Sequence, residues 1–457
     1  MIKQFFITVL SMLVAMQTAV AQPRTGIATV DLFNGRNLDG WINVNCTPET
    51  WQVRDGMIVC SGIPYGILRT TRQYENYILE LDWRHMKPKG NAGLFVHSGP
   101  LPHLGRPWTR AHEVQIMDGD HGAVFPIWGA FLAPDNPRKM KNKDEFMSRA
   151  FPIENRSKPA GEWNHYRVES RDGMIILSVN GKRVTRGFQA NPRKGYICLE
   201  SEGSEIHFRN IRIQELPSTD PHPSIISDID EGFRSLYNGV DLRGWVNEPG
   251  HAGHWKAQGY ILQYDGKSEA PARRKNLVTE KSYGNFELRI DWRMTAKSKL
   301  YNAAIVLSDG QYARQMEGDA GRPGLPWNPP DDLENELTIP IWYAADSGIM
   351  FRGSTKSQVN IWNWPVGSGE IWGYRTDPSM FPEVRKACTP IQHADNKAGE
   401  WNRFVIRVVG DRVRVELNGK LVIEDAQLPG LPDRGPIMLQ HHGDPVEFCN
   451  IFIKELD

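Results

Sequence analysis

The chain repeats itself, and the repeat limits what it can fold into. LFNGRNLDGW at 32–41 returns as LYNGVDLRGW at 236–245, with Leu, Asn, Gly, Leu, Gly and Trp in matching places. Further blocks recur in unchanged order. TWQVRDGMIVCSG (50–62) answers to HWKAQGYILQYDG (254–266), and YENYILELDWR (74–84) to YGNFELRIDWR (283–293). NAGLFVHSG (91–99) is read against NAAIVLSDG (302–310), which pairs His97 with Ser308. GEWNHYRVESRDGMIILSVNGKRV (161–184) answers to GEWNRFVIRVVGDRVRVELNGKLV (399–422), and YICLESEGSEIHFRNIRIQEL (196–216) to PIMLQHHGDPVEFCNIFIKEL (436–456). Ordered blocks of this kind mark a duplicated domain. The halves are placed at 28–216 and 234–457. The Pro-, Ser- and Asp-rich stretch 217–233 links them, and a long insertion, 311–356, interrupts the second.

Each block reads as strand. YILELDWR alternates Leu79, Leu81 and Trp83 against Glu80, Asp82 and Arg84, a period of two. Asn180-Gly181 and Asn418-Gly419 mark hairpin turns between alternating runs. Many short strands with turn signals between them predict an all-β protein with a β-sandwich in each half. Fifteen Trp and 42 Gly suit such a fold, with most Trp in the cores.

Composition excludes some partners. Lys plus Arg total 54 and Asp plus Glu total 54, with no basic block, so nucleic acid is not expected. Lys3, the apolar run FFITVLSMLVAM and the small residues AVA at 19–21 read as a signal peptide over 1–21. No later apolar run reaches transmembrane length, so an exported protein, periplasmic or secreted, is expected. The five cysteines match no zinc spacing. A Cys46–Cys60 bridge is conceivable, but buried free thiols are preferred.

Strand parity nominates the chemistry. In HEVQIMDGDHG (112–122), Val114 and Ile116 face inward, so Glu113 and Gln115 face out. In NAGLFVHSG, Ala92, Leu94 and Val96 face inward, which assigns Asn91, Phe95 and His97 to the other side. Glu200 joins that side from YICLESEG. Ordinary solvated strand positions fit the same parity. In the second half, QVNIWNW sets Gln358, Asn360 and Trp362 on the open face. QHHGDPVEF adds His442 and Asp444, residue types that bind metals or pair as acid and base. PVGSGEIWGYR adds Arg375. A retaining glycosidase needs two carboxyls about 5–5.5 Å apart. Glu113 is followed at the relevant offsets by Gln115 and Met117, which counts against ordinary hydrolysis.

LFNGRNLDGW, NAGLFVHSG, EVQIMD, GEWNHYRV, VNGKRV and FRNIRIQEL together resemble the 3-keto-disaccharide hydrolase domain family, over nearly all of both halves. The resemblance implies a concanavalin A-like jelly roll in tandem. It also implies a glycoside or oligosaccharide substrate, oxidised at C3 by a partner sugar oxidoreductase. The ketone acidifies C2–H, a base removes that proton, and the C1 substituent leaves. Addition of water then makes the outcome a net hydrolysis. Such a route needs a base, a stabiliser for the enolate oxygen and help for the leaving group. A divalent cation is one candidate stabiliser, and the resemblance implies no certain cofactor. By motif, Glu113, Gln115 and Asp118 occupy the family's Glu-x-Gln-x-x-Asp strand, and His121 follows it. His442 and Asp444 occupy its His-Gly-Asp ending. Glu113 is the expected base, with His97, Gln115 and Asp118 orienting or acidic groups, and His442 and Asp444 are the expected catalytic residues of the second half. Glu200 and His121 are expected to bind substrate in the first half, and Gln358, Asn360, Trp362 and Arg375 in the second. The halves depart from the motif in opposite ways: the first reads ESEGSEI for His-Gly-Asp, the second QVNIW for the acidic strand. A non-catalytic tandem carbohydrate-binding protein, or one catalytic and one binding domain, also fits. The insertion, with Trp327 and Trp342, reads as a brace, an aromatic sugar platform or a lid.

Overall fold

The turn that opens each repeat is built identically. Asn34 Oδ1 accepts from the backbone N–H of Arg36 and Asn37, and Asn238 Oδ1 from those of Val240 and Asp241. Trp41 Nε1 then donates to the Leu32 carbonyl at 2.7 Å, and Trp245 Nε1 to that of Leu236 at 2.8 Å. The computed structural model describes residues 28–135, 149–313 and 337–457. The stretch 1–21 expected to be a signal peptide, and Trp327, lie outside the described residues.

Each half is an antiparallel jelly-roll sandwich. In the first, a nine-stranded sheet is centred on Tyr77–His85, which pairs with Asn164–Arg171 and Ile206–Glu215. Burial along Tyr77–His85 alternates at every residue, the pattern of a strand with one face in a core. A six-stranded sheet packs against it in the order Trp41–Asn43, Gly66–Thr70, Tyr196–Ser201, Gly93–Ser98, Ala111–Gln115 and Val124–Ile127. Leu79, Leu81, Leu94, Val114, Leu199 and Phe208 meet between the sheets. The second half has an eight-stranded sheet centred on Phe286–Met294. Facing it is a four-stranded sheet in the order Leu277–Tyr283, Gly435–Leu439, Asp346–Met350 and Gln358–Trp362.

This order corrects one repeat alignment. The partner of Gly93–Ser98 is Asp346–Met350, because both lie between the strand carrying Glu200 or Leu439 and the strand carrying Glu113 or Gln358. His97 therefore matches Arg352, not Ser308. Both have left-handed backbones, with φ of 55° and 52°. A Cβ on Gly195 would lie 2.4 Å from the His97 carbonyl carbon, and one on Gly435 2.3 Å from that of Arg352. The same bulge, sealed by the same glycine, thus stands in both copies. The stretch read as an insertion, 311–356, contains this core strand. The added structure instead precedes it, as a hairpin of Lys299–Ala304 with Thr338–Tyr343. The hairpin packs Tyr301 and Ile341 on Trp362 and Trp364. The sequence misled because NAAIVLSDG imitates NAGLFVHSG, and chain pairing, not wording, sets register.

The halves meet at the Arg243 guanidinium, which donates to Glu49 and Thr47, and at a loop of the first half seated on the second. Gly105 N–H donates to Asp291 Oδ2 at 2.8 Å, and Asn450 Nδ2 donates to the carbonyls of His103 and Arg106. Asp291 also accepts from Asn450 at 2.7 Å and from Arg403 at 2.6 Å. The first half carries the same group as Asp82, Asn210, His165 and Trp163. There Arg209 stacks 3.9 Å from the Trp163 ring and donates to Asp82. The matching residue in the second half is Cys449, whose small side chain leaves the face of Trp401 to Gly105. All five cysteines are buried free thiols. Asp291→Ala is expected to destabilise the chain by about 3 kcal/mol, because it strands Arg403 and the loop donors. Asp82→Ala, among half-exposed partners, should cost about 1 kcal/mol or less. Equal costs in chemical denaturation would contradict the asymmetry.

Candidate functional site

In the first half, Gly93 is opposite Gln115 on one side and level with Glu200 on the other. Its missing side chain makes room for two carboxyls. A Cβ on Gly93 would sit 2.7 Å from Glu200 Oε2 and 3.1 Å from Glu113 Oε1. Glu113, Gln115 and Glu200 are all buried, on the face turned away from the sandwich core. Asn91 Nδ2 donates to Glu202 Oε2 in a very short hydrogen bond, which brings a third carboxyl to the group. Glu200 Oε2 has no hydrogen-bond partner among the described residues.

Three carboxyls with little neutralisation cannot all ionise. Burial pushes Glu113 up to about 8; the Glu202 charge adds to the shift and Arg149 opposes it. Burial, then Glu113 and Glu202, holds Glu200 well above the usual carboxylate range. Burial lifts Glu202 to about 7 against hydrogen bonds from Glu200 and Asn91. The cluster titrates as a unit and can store and release protons near neutrality. Glu202, which the repeat blocks align with His442 and which was not among the expected site residues, belongs to it. The signal was its spacing of two from Glu200, which keeps both on one strand face.

Other expected site residues lie elsewhere. His97 turns into the core, where Nε2 meets Ser170 Oγ at 2.8 Å. The bulge at this residue reverses the parity that assigned it to the Glu113 face. His121 accepts the backbone N–H of Ser157 at 3.1 Å on Nε2, so it pins a loop. Asp118 accepts the N–H of Lys89 at 2.8 Å and closes a turn.

The second half presents a different set on the same scaffold. Gln358, Asn360 and Gln440 stand where Glu113, Gln115 and Glu200 stand in the first. Gln358 Nε2 donates to Asn360 Oδ1 at 2.6 Å and to Gln440 Oε1 at 3.0 Å. A Cβ on Gly348, the match of Gly93, would meet the Gln358 amide at 2.6 Å. Asp346 takes the place of Asn91. Burial, then the Glu370 and Asp444 charges, raises it to about 8. Asp444 accepts the Tyr343 hydroxyl at 2.5 Å and the Asp346 N–H at 3.0 Å. His442 is exposed, with Nδ1 3.9 Å from Asp346 Oδ2. Arg375 is not available to substrate hydroxyls: it is fully buried in an ion pair with Glu370 and also donates to the Tyr312 hydroxyl at 3.0 Å. Trp362 is likewise no open-face residue, since it stacks on Trp364 at 4.2 Å beneath the hairpin. Asp346 and Gln440 escaped sequence reading because the misaligned repeat hid the first and the HHGD motif drew attention from the second. Among the described residues, no group of three or more His, Cys, Asp or Glu side chains is arranged to hold a metal ion, so no step is derived through a cation.

The carboxyl cluster makes stability depend on pH. A carboxyl whose folded pKa lies above its unfolded value favours the folded state while protonated. That stability is lost as pH rises from the unfolded value near 4.5 through the folded value near 8. Glu113→Gln removes one such group. The variant should gain on the order of 1–2 kcal/mol over the parent at pH 8 and little at pH 4, read by chemical denaturation. An identical pH profile in both proteins would contradict the cluster.

The comparisons with known proteins agree with a repeated domain. The model of the 3-keto-alpha-glucoside-1,2-lyase-like domain matches residues 28–214 and again 232–454. A 3-keto-disaccharide hydrolase of Bacteroides thetaiotaomicron is 22% identical over 235 residues, covering 41% of this chain and 78% of that protein. A crystal structure from Parabacteroides distasonis, provisionally assigned as a glycosyl hydrolase, is 23% identical and covers 41% of this chain and 94% of its own, at a TM-score of 0.33. The β-glucanase of Bacillus licheniformis is 13% identical over 42% of this chain and all of its own, at a TM-score of 0.28. With both halves matched by one family model, the chain belongs to the 3-keto-alpha-glucoside-1,2-lyase-like domain family and carries that domain twice.

Proposed function

We propose that the chain cleaves the glycosidic bond of 3-keto-glycosides, and that the first half carries the chemistry. The observation behind this reading is the crowding of Glu113 and Glu200 over Gly93, with Glu202 beside them. In the proposed step, the Glu113 carboxylate takes the C2 proton of the sugar. The C–H electron pair becomes the C2=C3 bond of an enolate, and the C3 oxygen takes the negative charge. On collapse, the C3 carbonyl re-forms, a C1=C2 double bond forms and the C1–O bond breaks. The leaving oxygen takes a proton from Glu200, whose proton affinity is raised by burial and the neighbouring carboxyls. Water added across C1=C2 completes a net hydrolysis; release before that addition leaves an elimination product.

The raised proton affinity of Glu113 suits this role. A base near neutrality removes a proton next to a ketone better than an ordinary carboxylate does. Gln115, on the same face, is assigned to substrate binding. An oxidoreductase acting at C3 of the sugar has to supply the substrate. The signal-peptide pattern at 1–21 supports export of the enzyme in this reading.

The test uses a chromogenic 3-keto-glucoside and its unoxidised parent. Release is expected from the keto substrate alone. Glu113→Gln should lower kcat/KM by roughly 100-fold or more, the usual loss of a general base. For the parent enzyme, kcat/KM should rise with pH until Glu113 is deprotonated, near 8. Cleavage of the unoxidised glucoside at an equal rate, or full activity in Glu113→Gln, would refute the proposal.

A further inference from the structure

The second half keeps the fold of the first site but not the two carboxyls that crowd its glycine; its own raised acid, Asp346, stands in the place of Asn91. Gln358 and Gln440 replace Glu113 and Glu200, the two carboxyls that crowd Gly93. An amide has nearly the same shape as a carboxyl, yet it cannot take up or give up a proton near neutrality. What it offers is one acceptor and two donors. Glu370, the fully buried carboxyl on this side, is neutralised by Arg375.

The two amides line an open cleft of about 580 Å³, with Asn276, Lys356 and Trp372 on its other walls. Trp372 is 43% exposed. A cleft of this size accommodates a mono- or disaccharide. With both Gln358 N–H groups given to Asn360 and Gln440, the Gln358 Oε1 accepts and the Gln440 NH2 donates, a pair that matches hydroxyls, and an indole face suits the apolar C–H face of a pyranose. Lys356 is held by Asp377 at 2.7 Å, so it adds little net charge to attract an anion.

We propose that this cleft is a recognition site for a neutral, unoxidised pyranoside, gripped by Gln358 and Gln440 against Trp372, and not a second site of proton abstraction. The proposal goes beyond the turnover assigned to the first half and does not depend on it. A glycan held here would keep substrate-bearing chains near the first site.

The experiment is calorimetry on the full chain carrying Glu113→Gln, with trehalose, sucrose, maltose and lactose as probes and glucuronate as the charged control. At least one neutral disaccharide should bind, and glucuronate should bind at least tenfold more weakly. Trp372→Ala and, separately, Gln358→Ala should each weaken that binding at least tenfold. Trp372 is half exposed, so its replacement is expected to leave the fold intact, as circular dichroism would verify. No binding of any neutral disaccharide overturns the proposal, as does preferred binding of glucuronate or binding indifferent to both substitutions. It is also overturned if 3-keto turnover survives Glu113→Gln and is abolished by Asp346→Asn. Failure of the turnover assay alone, with neutral sugar bound in the cleft, would sink the catalytic reading and leave this one standing.

Discussion

A β-strand has two faces, and in these sandwiches one of them must be apolar. The smaller sheet of each half closes its core with residues such as Leu94, Val114 and Leu199, or Ile349, Val359 and Leu439. Glu113, Gln115, Glu200, Gln358 and Asn360 alternate with those residues and so fall on the other face, where the chemistry gathers. The period of two then sets which residues meet. Glu113 and Gln115 come from one strand, Glu200 from another, and Gly93 between them leaves the space that a side chain would have filled. A single left-handed residue ends the rule on the central strand. Past the bulge at His97 or Arg352 the faces exchange, and His97 enters the core.

The two copies show how much can change on a fixed pleat. Glu113 and Glu200 become Gln358 and Gln440, Asn91 becomes Asp346, and Glu202 becomes His442. None of these changes touches the inner face, so none disturbs the core. The first copy concentrates carboxyls whose proton affinities rise together. The second spreads amides and sets its acids in pairs with Arg375 and Tyr343. The outer faces of the large sheets diverge by the same logic. Arg209 covers Trp163 in the first copy, while Cys449 leaves Trp401 open to the loop around Gly105. One exchange of a long side chain for a short one makes one copy a receptor and the other closed. At this loop the insertion is one-way: the first domain seats it on the second, and its own matching surface is occupied by Arg209.

Much of this was legible in residue order. The alternation in YILELDWR, the Asn-Gly turns and the repeated LxNGxxLxGW block specify strands, hairpins and duplication, because each follows from a local rule. The outward placement of Glu113 and Glu200 followed from parity alone. The errors came where a local rule gave way to a tertiary one. His97 was misplaced because a bulge is a property of two paired strands. Arg375 read as a ligand for hydroxyls because sequence does not show the Glu370 that buries with it. Trp362 read as open because the hairpin that covers it lies outside its own strand.

The sequence by itself determined that this protein is one sandwich written twice, with carboxyls on the open face of the first copy and amides on that of the second. Strand period and repeat order suffice for that, since both are written along the chain. Only the tertiary structure decided which strand of the second copy stands in for NAGLFVHS, and hence that Asp346 and Gln440 belong to its site. Register depends on hydrogen bonds between strands far apart in the chain, and two similar runs of residues compete for it until one of them is paired.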